Sequence, residues 1–169
     1  RPVAEIMFIE FLGVALDMVA TEAAKLRYLS GGQVTCPLTV RASVGAGLGF
    51  GLQHSQTLET WLYATPGITL AVASNPQNAY GLLRSAIQSE DPVVVLEPRV
   101  LYAHRGDVTT GDEGIVPLGK AELVESGTDV TIVTLGAMRG TTVDAVADAA
   151  WSADIIDLRT LIPWDKEAV

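Results

Sequence analysis

The chain has 169 residues, 49% of them hydrophobic, with 20 acidic against 11 basic residues and a net charge of −9. That is apolar material enough for one ordinary domain, or one and part of a second, and the low charge content argues against disorder. The acidity and the lack of a basic stripe argue against nucleic acid as a partner, and no apolar run approaches the roughly 18 residues of a membrane span.

Arg1-Pro2 leads straight into Val3 to Phe8, an apolar stretch that reads as a buried strand; no signal-peptide pattern precedes it, in the manner of a chain entered midway. From Leu12 the period lengthens. Leu12, Leu16, Val19, Ala20, Ala23 and Leu26 share a helical stripe, and Gly31-Gly32 supply a glycine stop. Gln33 to Arg41 returns to strand, with Pro37 marking an edge or a bulge. Cys36, the single cysteine, allows no intrachain disulfide or cysteine-based zinc cluster and reads as a small buried hydrophobe. Its usage suits a bacterial cytoplasm or an organelle matrix.

The segment SVGAGLGFGLQHSQ follows, with Gly45, Gly47, Gly49 and Gly51 at every second position. Glycine takes positive φ and lets other groups approach the backbone. The spacing is neither G-x-G-x-x-G nor G-x-x-x-x-G-K-[ST], so no dinucleotide or P-loop fingerprint is present. Two readings stand: a backbone shaped around a ligand, or a flexible loop ending in a capping histidine.

Thr57 to Ala64 is a short helix stopped by Pro66-Gly67, and Ile68 to Ser74 a strand of the fully buried type. Asn75-Pro76 open a helix with Ala79, Leu82, Leu83, Ala86 and Ile87 on its core stripe, and Val93 to Leu96 is the next strand. Continuous apolar strands alternating with helices predict an α/β fold, a parallel sheet flanked by helices on both faces. Residues 104–118, rich in glycine, acids and threonine, read as a linker. A second α/β unit starts beyond them, with a strand over Asp129 to Leu135, a helix over Thr141 to Ala150 and a strand over Ile155 to Leu158. The expected division is therefore 1–103, a linker 104–118, and 119–169.

Five segments in this order carry a specific resemblance: RPVAEIMF, SGGQVTCPLTVR, QHSQTLETW, PQNAYGLLRSAI, and GTDVTIVTLGAMRG with IDLRTLIPWD. Together they resemble the β subunit of the thiamine-diphosphate-dependent E1 component of 2-oxoacid dehydrogenase complexes. The resemblance implies a partial pyrimidine-binding domain of transketolase type followed by part of a transketolase C-terminal-like domain. It also implies oxidative decarboxylation of a 2-oxoacid with acyl transfer to lipoyl groups. Thiamine diphosphate is shared with a partner α subunit, which holds the Mg2+. Other partners would be a second β chain and the lipoyl acyltransferase core.

Residue by residue, the resemblance places Met7 and Phe11 against the aminopyrimidine ring and His54 near the reacting centre. Thioether and phenyl groups suit a flat heteroaromatic face, and imidazole exchanges protons near neutral pH. Core packing is the alternative for the first two, and capping for the third. A monovalent cation would sit at Leu38, Ala86, Ser89 and Asp91, with serine where an acid often stands. His104 has no matching role and reads as solvated. The family's glutamate for the pyrimidine nitrogen lies upstream of Val3; Glu5 and Glu10 are not its match by position. The chain is thus expected to be a fragment, inactive when isolated. The alternative is a non-catalytic folding or interaction module that keeps the fold. Relatives that use pyruvate, branched-chain 2-oxoacids and acetoin share these motifs.

Overall fold

The computed structural model describes residues 1–169. The first sheet has five strands in the order β1-β2-β4-β3-β8: β1 (Val3–Ile6), β2 (Thr39–Val44), β4 (Val93–Pro98), β3 (Thr69–Val72) and β8 (Thr160–Ile162). The first four are parallel, and β8 runs antiparallel to β3. A second sheet places β7 (Ala153–Asp157) between β5 (Glu122–Glu125), antiparallel to it, and β6 (Val130–Thr134), parallel to it.

Alternation along the strands divides the core. Val40, Ala42 and Val44 of β2, Leu70 and Val72 of β3, and Val94 and Leu96 of β4 face one way. They meet Leu12, Val19 and Ala24 of the long helix α1 (residues 12–29), and Leu62 of the short helix α2 (Glu59–Tyr63). The opposite face presents Ala71, Val93 and Val95 to Leu82 and Ala86 of α3 (Pro76–Gln88). Helices therefore cover both faces, as continuous apolar strands require. The fourth helix, α4 (Met138–Ala147), packs on the second sheet through Val146 against Ala153 and Ile155.

Helix α1 is α-helical over Leu12–Leu16, π-helical over Asp17–Ala23, and α-helical again over Ala24–Leu29. Wide π turns rotate the residues beyond them, so Leu26, expected on the core stripe, is 38% exposed. The helix ends in a Schellman motif: Gly32 N–H donates to the Arg27 carbonyl and Gly31 N–H to that of Tyr28. At α3, the Asn75 side chain accepts from Asn78 N–H at 2.7 Å, with Pro76 at the first helical position.

Some expectations are corrected. Val3–Ile6 is an exposed edge strand rather than a buried one, because only β2 lies beside it. Residues 33–38 are not strand; extended pairing starts at Thr39, after Pro37 has removed a donor. Helix α4 starts three residues earlier than the spacing predicts. Residues 104–118 contain one 3-10 turn, Asp112–Gly114, and lie along α3. Gln77 holds them at both ends of its amide, to Gly114 O and Thr109 N, and Ser85 Oγ donates to Val116 O. Gly81 permits this contact, since a Cβ there would meet the Gly114 carbonyl and Val116.

The two sheets meet at Asp157, which is fully buried at the end of β7. Its carboxylate accepts from Ser74 Oγ, from Asn78 Nδ2 at 3.3 Å and from Arg159 N–H at 3.2 Å. Arg139 of α4 lies 3.6 Å away. Burial pushes this carboxyl above the ordinary range, while the hydrogen bonds and Arg139 pull the other way.

Candidate functional site

Ligands in open parallel sheets bind beyond the carboxyl ends of the strands. Three adjacent strands, β1, β2 and β4, end side by side, and each continues into a segment of one surface. After β1 come Met7 to Phe11; after β2, the glycine loop and His54; after β4, Arg99.

The four loop glycines have φ of 97°, 101°, 74° and 78° at Gly45, Gly47, Gly49 and Gly51, all in the left-handed region. Alternating positive φ curls the loop back and delivers Phe50 and His54 beside the β1 segment. The His54 ring stands edge-on to Phe8 at 4.5 Å and to Phe11 at 5.5 Å. Phe8 in turn meets Phe50 at 5.8 Å and Phe11 at 6.2 Å. Met7 and Phe11 are 67% and 51% exposed, so their outer faces are uncovered.

Hydrogen bonds fix the backbone around these rings. Glu10 accepts from Gln56 N–H at 2.5 Å, and Gly45 N–H donates to the Gln56 carbonyl at 2.9 Å. Ser43 Oγ donates to the Met7 carbonyl. The second oxygen of Glu10 is buried with no donor, a group that a ligand N–H could satisfy. Beneath this surface Arg41 grips Glu97 through two hydrogen bonds of 2.8 and 2.7 Å, and Tyr102 donates to Glu97 at 3.0 Å. Burial, reinforced by Glu97, pushes the Tyr102 phenol up to about 12.

The structure thus brings Phe11 and His54 together and leaves Met7 exposed in the same segment that carries Phe8 and Phe11. The four cation residues lie apart from this surface, where β2 begins and α3 ends. The Leu38 carbonyl accepts from Val93 N–H, Ala86 from Ser89 N–H, and Ser89 from Arg1 at 2.5 Å. Both oxygens of Asp91 take Arg27 at 2.8 and 2.7 Å. His104 is exposed. Sequence reasoning missed Phe8, Phe50, Glu10 and Arg99. An aromatic amid loop glycines and an arginine just past an apolar strand were the signals available.

Residues 1–105 match the model for the transketolase pyrimidine binding domain, and residues 119–169 that for the transketolase C-terminal domain. The chain belongs to the transketolase pyrimidine binding domain family. Within it, the relatives are β subunits of the kind the five motifs indicate. The chain is 43% identical to the β subunit of an acetoin:2,6-dichlorophenolindophenol oxidoreductase from Cupriavidus necator, over 100% of this chain and 51% of that one. It is 42% identical to 2-oxoisovalerate dehydrogenase subunit beta 2, mitochondrial, of Arabidopsis thaliana, over 100% of this chain and 48% of that one. The chain spans about half the length of the curated relatives it matches. A solved structure, a split gene transketolase described as an inactive beta4 tetramer, superposes with a TM-score of 0.77 at 22% identity, covering 99% of this chain and 52% of that one. That likeness supports the fold: α/β, a parallel sheet flanked by helices, then the start of a second α/β unit.

Proposed function

We propose that this chain is the pyrimidine-binding part of an E1 β subunit, acting in oxidative decarboxylation of a 2-oxoacid and acyl transfer to lipoyl groups. The observation that carries the reading is the convergence of Phe11 and His54, 5.5 Å apart, at the strand ends. The residues present suit thiamine diphosphate: Met7 and Phe11 offer uncovered faces for a flat ring, and the unpaired Glu10 oxygen lacks a donor. When bound, that cofactor supplies the carbon chemistry of decarboxylation. Met7 and Phe11 would hold the ring, and His54 would give or take a proton at the reacting centre, a role imidazole performs near neutral pH.

An E1 α subunit would close the open aromatic surface and hold the diphosphate and Mg2+. A second β chain and the lipoyl acyltransferase core complete the assembly, in a bacterial cytoplasm or organelle matrix. No helix is long and apolar enough to cross a membrane. The functional division proposed is 1–103, 104–118 and 119–169. A monovalent cation at Leu38, Ala86, Ser89 and Asp91 would have to displace Arg1 and Arg27 from their oxygens. Potassium raising the melting temperature, with Asp91→Ala abolishing the rise, would support that site.

The test is co-expression with a cognate E1 α subunit, followed by decarboxylation assays over pyruvate, branched-chain 2-oxoacids and acetoin. With the family's upstream glutamate restored to this chain, activity should need both chains and fall on the order of 10²–10⁴-fold in His54→Ala. Inactivity with every α subunit would leave the non-catalytic module as the better reading.

A further inference from the structure

Arg99, which follows β4 directly, touches both of the other segments of the surface, the one after β1 and the one after β2. It is only 6% exposed. Its Nη1 donates to the His54 carbonyl at 2.6 Å, and its Nε and Nη2 donate to Ser43 Oγ at 3.3 and 3.1 Å. Ser43 passes the contact on to the Met7 carbonyl. The guanidinium lies 4.4 Å from the Phe8 ring centre and 5.2 Å from that of Phe50.

No ion pair of the chain involves Arg99. A cation this deeply buried without a carboxylate is costly, and a well-packed apolar residue of similar volume is often at least as stabilising. Its energetic compensation comes from two aromatic faces and two oxygens, and every one of these belongs to the surface around His54.

We propose that Arg99 is a positioning residue, whose flat guanidinium locks the His54 backbone and the Phe8 and Phe50 rings into one arrangement. A planar fork that hydrogen-bonds at its edge while stacking on its face is specific to arginine, so lysine is no substitute. The proposal rests on the proposed function only in making His54 the group whose placement matters.

Its test therefore needs no turnover. The chain has two histidines, His54 and the exposed His104. In a histidine-labelled sample, the His54 ring protons should be displaced from those of His104 by the ring currents of the aromatic rings beside them. In Arg99→Met that displacement should collapse onto the His104 position while the core methyl signals remain dispersed. An unchanged His54 signal in a folded Arg99→Met chain overturns the proposal. Should Arg99→Met fail to fold, Arg99→Lys decides: it keeps charge and reach, and is expected to fold yet lose most of the displacement. A wild-type His54 signal in Arg99→Lys, or unfolding of both variants, would make Arg99 a core residue and nothing more. Decarboxylation by the reconstituted complex tests the function separately, so either claim can fail alone.

Discussion

Asp157 shows how much one buried carboxyl can govern. Its pKa is raised, so the folded chain holds this proton more tightly than the unfolded chain does. The stability it contributes is fully present below the ordinary carboxylate range, near pH 4, and is lost as pH rises through the higher folded value. Asp157→Asn should flatten that part of the pH–stability curve, read as urea midpoints from pH 4 upward; an unchanged slope would count against it. Asp157→Ala should do worse than Asp157→Asn, by about 1–3 kcal/mol for the buried Ser74 hydroxyl left without an acceptor, whereas Asn78 keeps Ser74 Oγ at 2.8 Å. Tyr102 works in the alkaline range. With its phenol raised to about 12, stability should fall between the ordinary tyrosine value near 10 and that point, and Tyr102→Phe should lessen the fall, the remainder coming from groups such as Lys120 that are also raised. At this scale Met7 and Phe11 could be picked from the sequence only through family resemblance, while the glycine loop already pointed to His54. Arg99 and Glu10 could not, because their roles come from partners more than 40 residues away.

Among the elements, glycines with similar φ differ in consequence. Gly31 has φ of 63° with open space around its Cα, so Gly31→Ala should cost only the left-handed strain, about 1–2 kcal/mol. Gly67 has φ of 96°, and a Cβ there would run into the Ala24 carbonyl of α1, so Gly67→Ala should cost well beyond that. Equal losses in thermal denaturation would show that the close approach is unimportant. The strand–helix alternation and the parallel sheet were legible because apolar runs and helical stripes are local. Two things were not. The π-helical middle of α1 obeys no residue spacing, and the exposure of β1 depends on which strand takes the edge.

At the scale of the whole molecule the question is what covers the outside of α1. Its apolar residues divide. Ala23 and Ala24 are buried against the chain's own core, whereas Val14 is 90% and Met18 59% exposed. Apolar surface of this kind favours association. Met18→Lys should lower the mass seen by light scattering while leaving the circular dichroism intact; Ala24→Glu should unfold the chain instead. A wild-type monomer of 17.8 kDa at micromolar concentration would remove the case for self-association through this face.

The antiparallel strand β8 closes the edge of β3, although some 90 residues of chain separate them. On a ribosome, β3 leaves the exit tunnel long before its last neighbour exists. Until Thr160–Ile162 emerge, its outer backbone N–H and C=O groups are bare, a template for pairing with another nascent chain. The first sheet is therefore finished by a strand that follows the second sheet in the chain, and the order of translation leaves a period of vulnerability. Nascent chains arrested near Lys120 should be more prone to aggregation, and more readily bound by chaperones, than chains arrested after the Leu70–Ile162 pairing becomes possible.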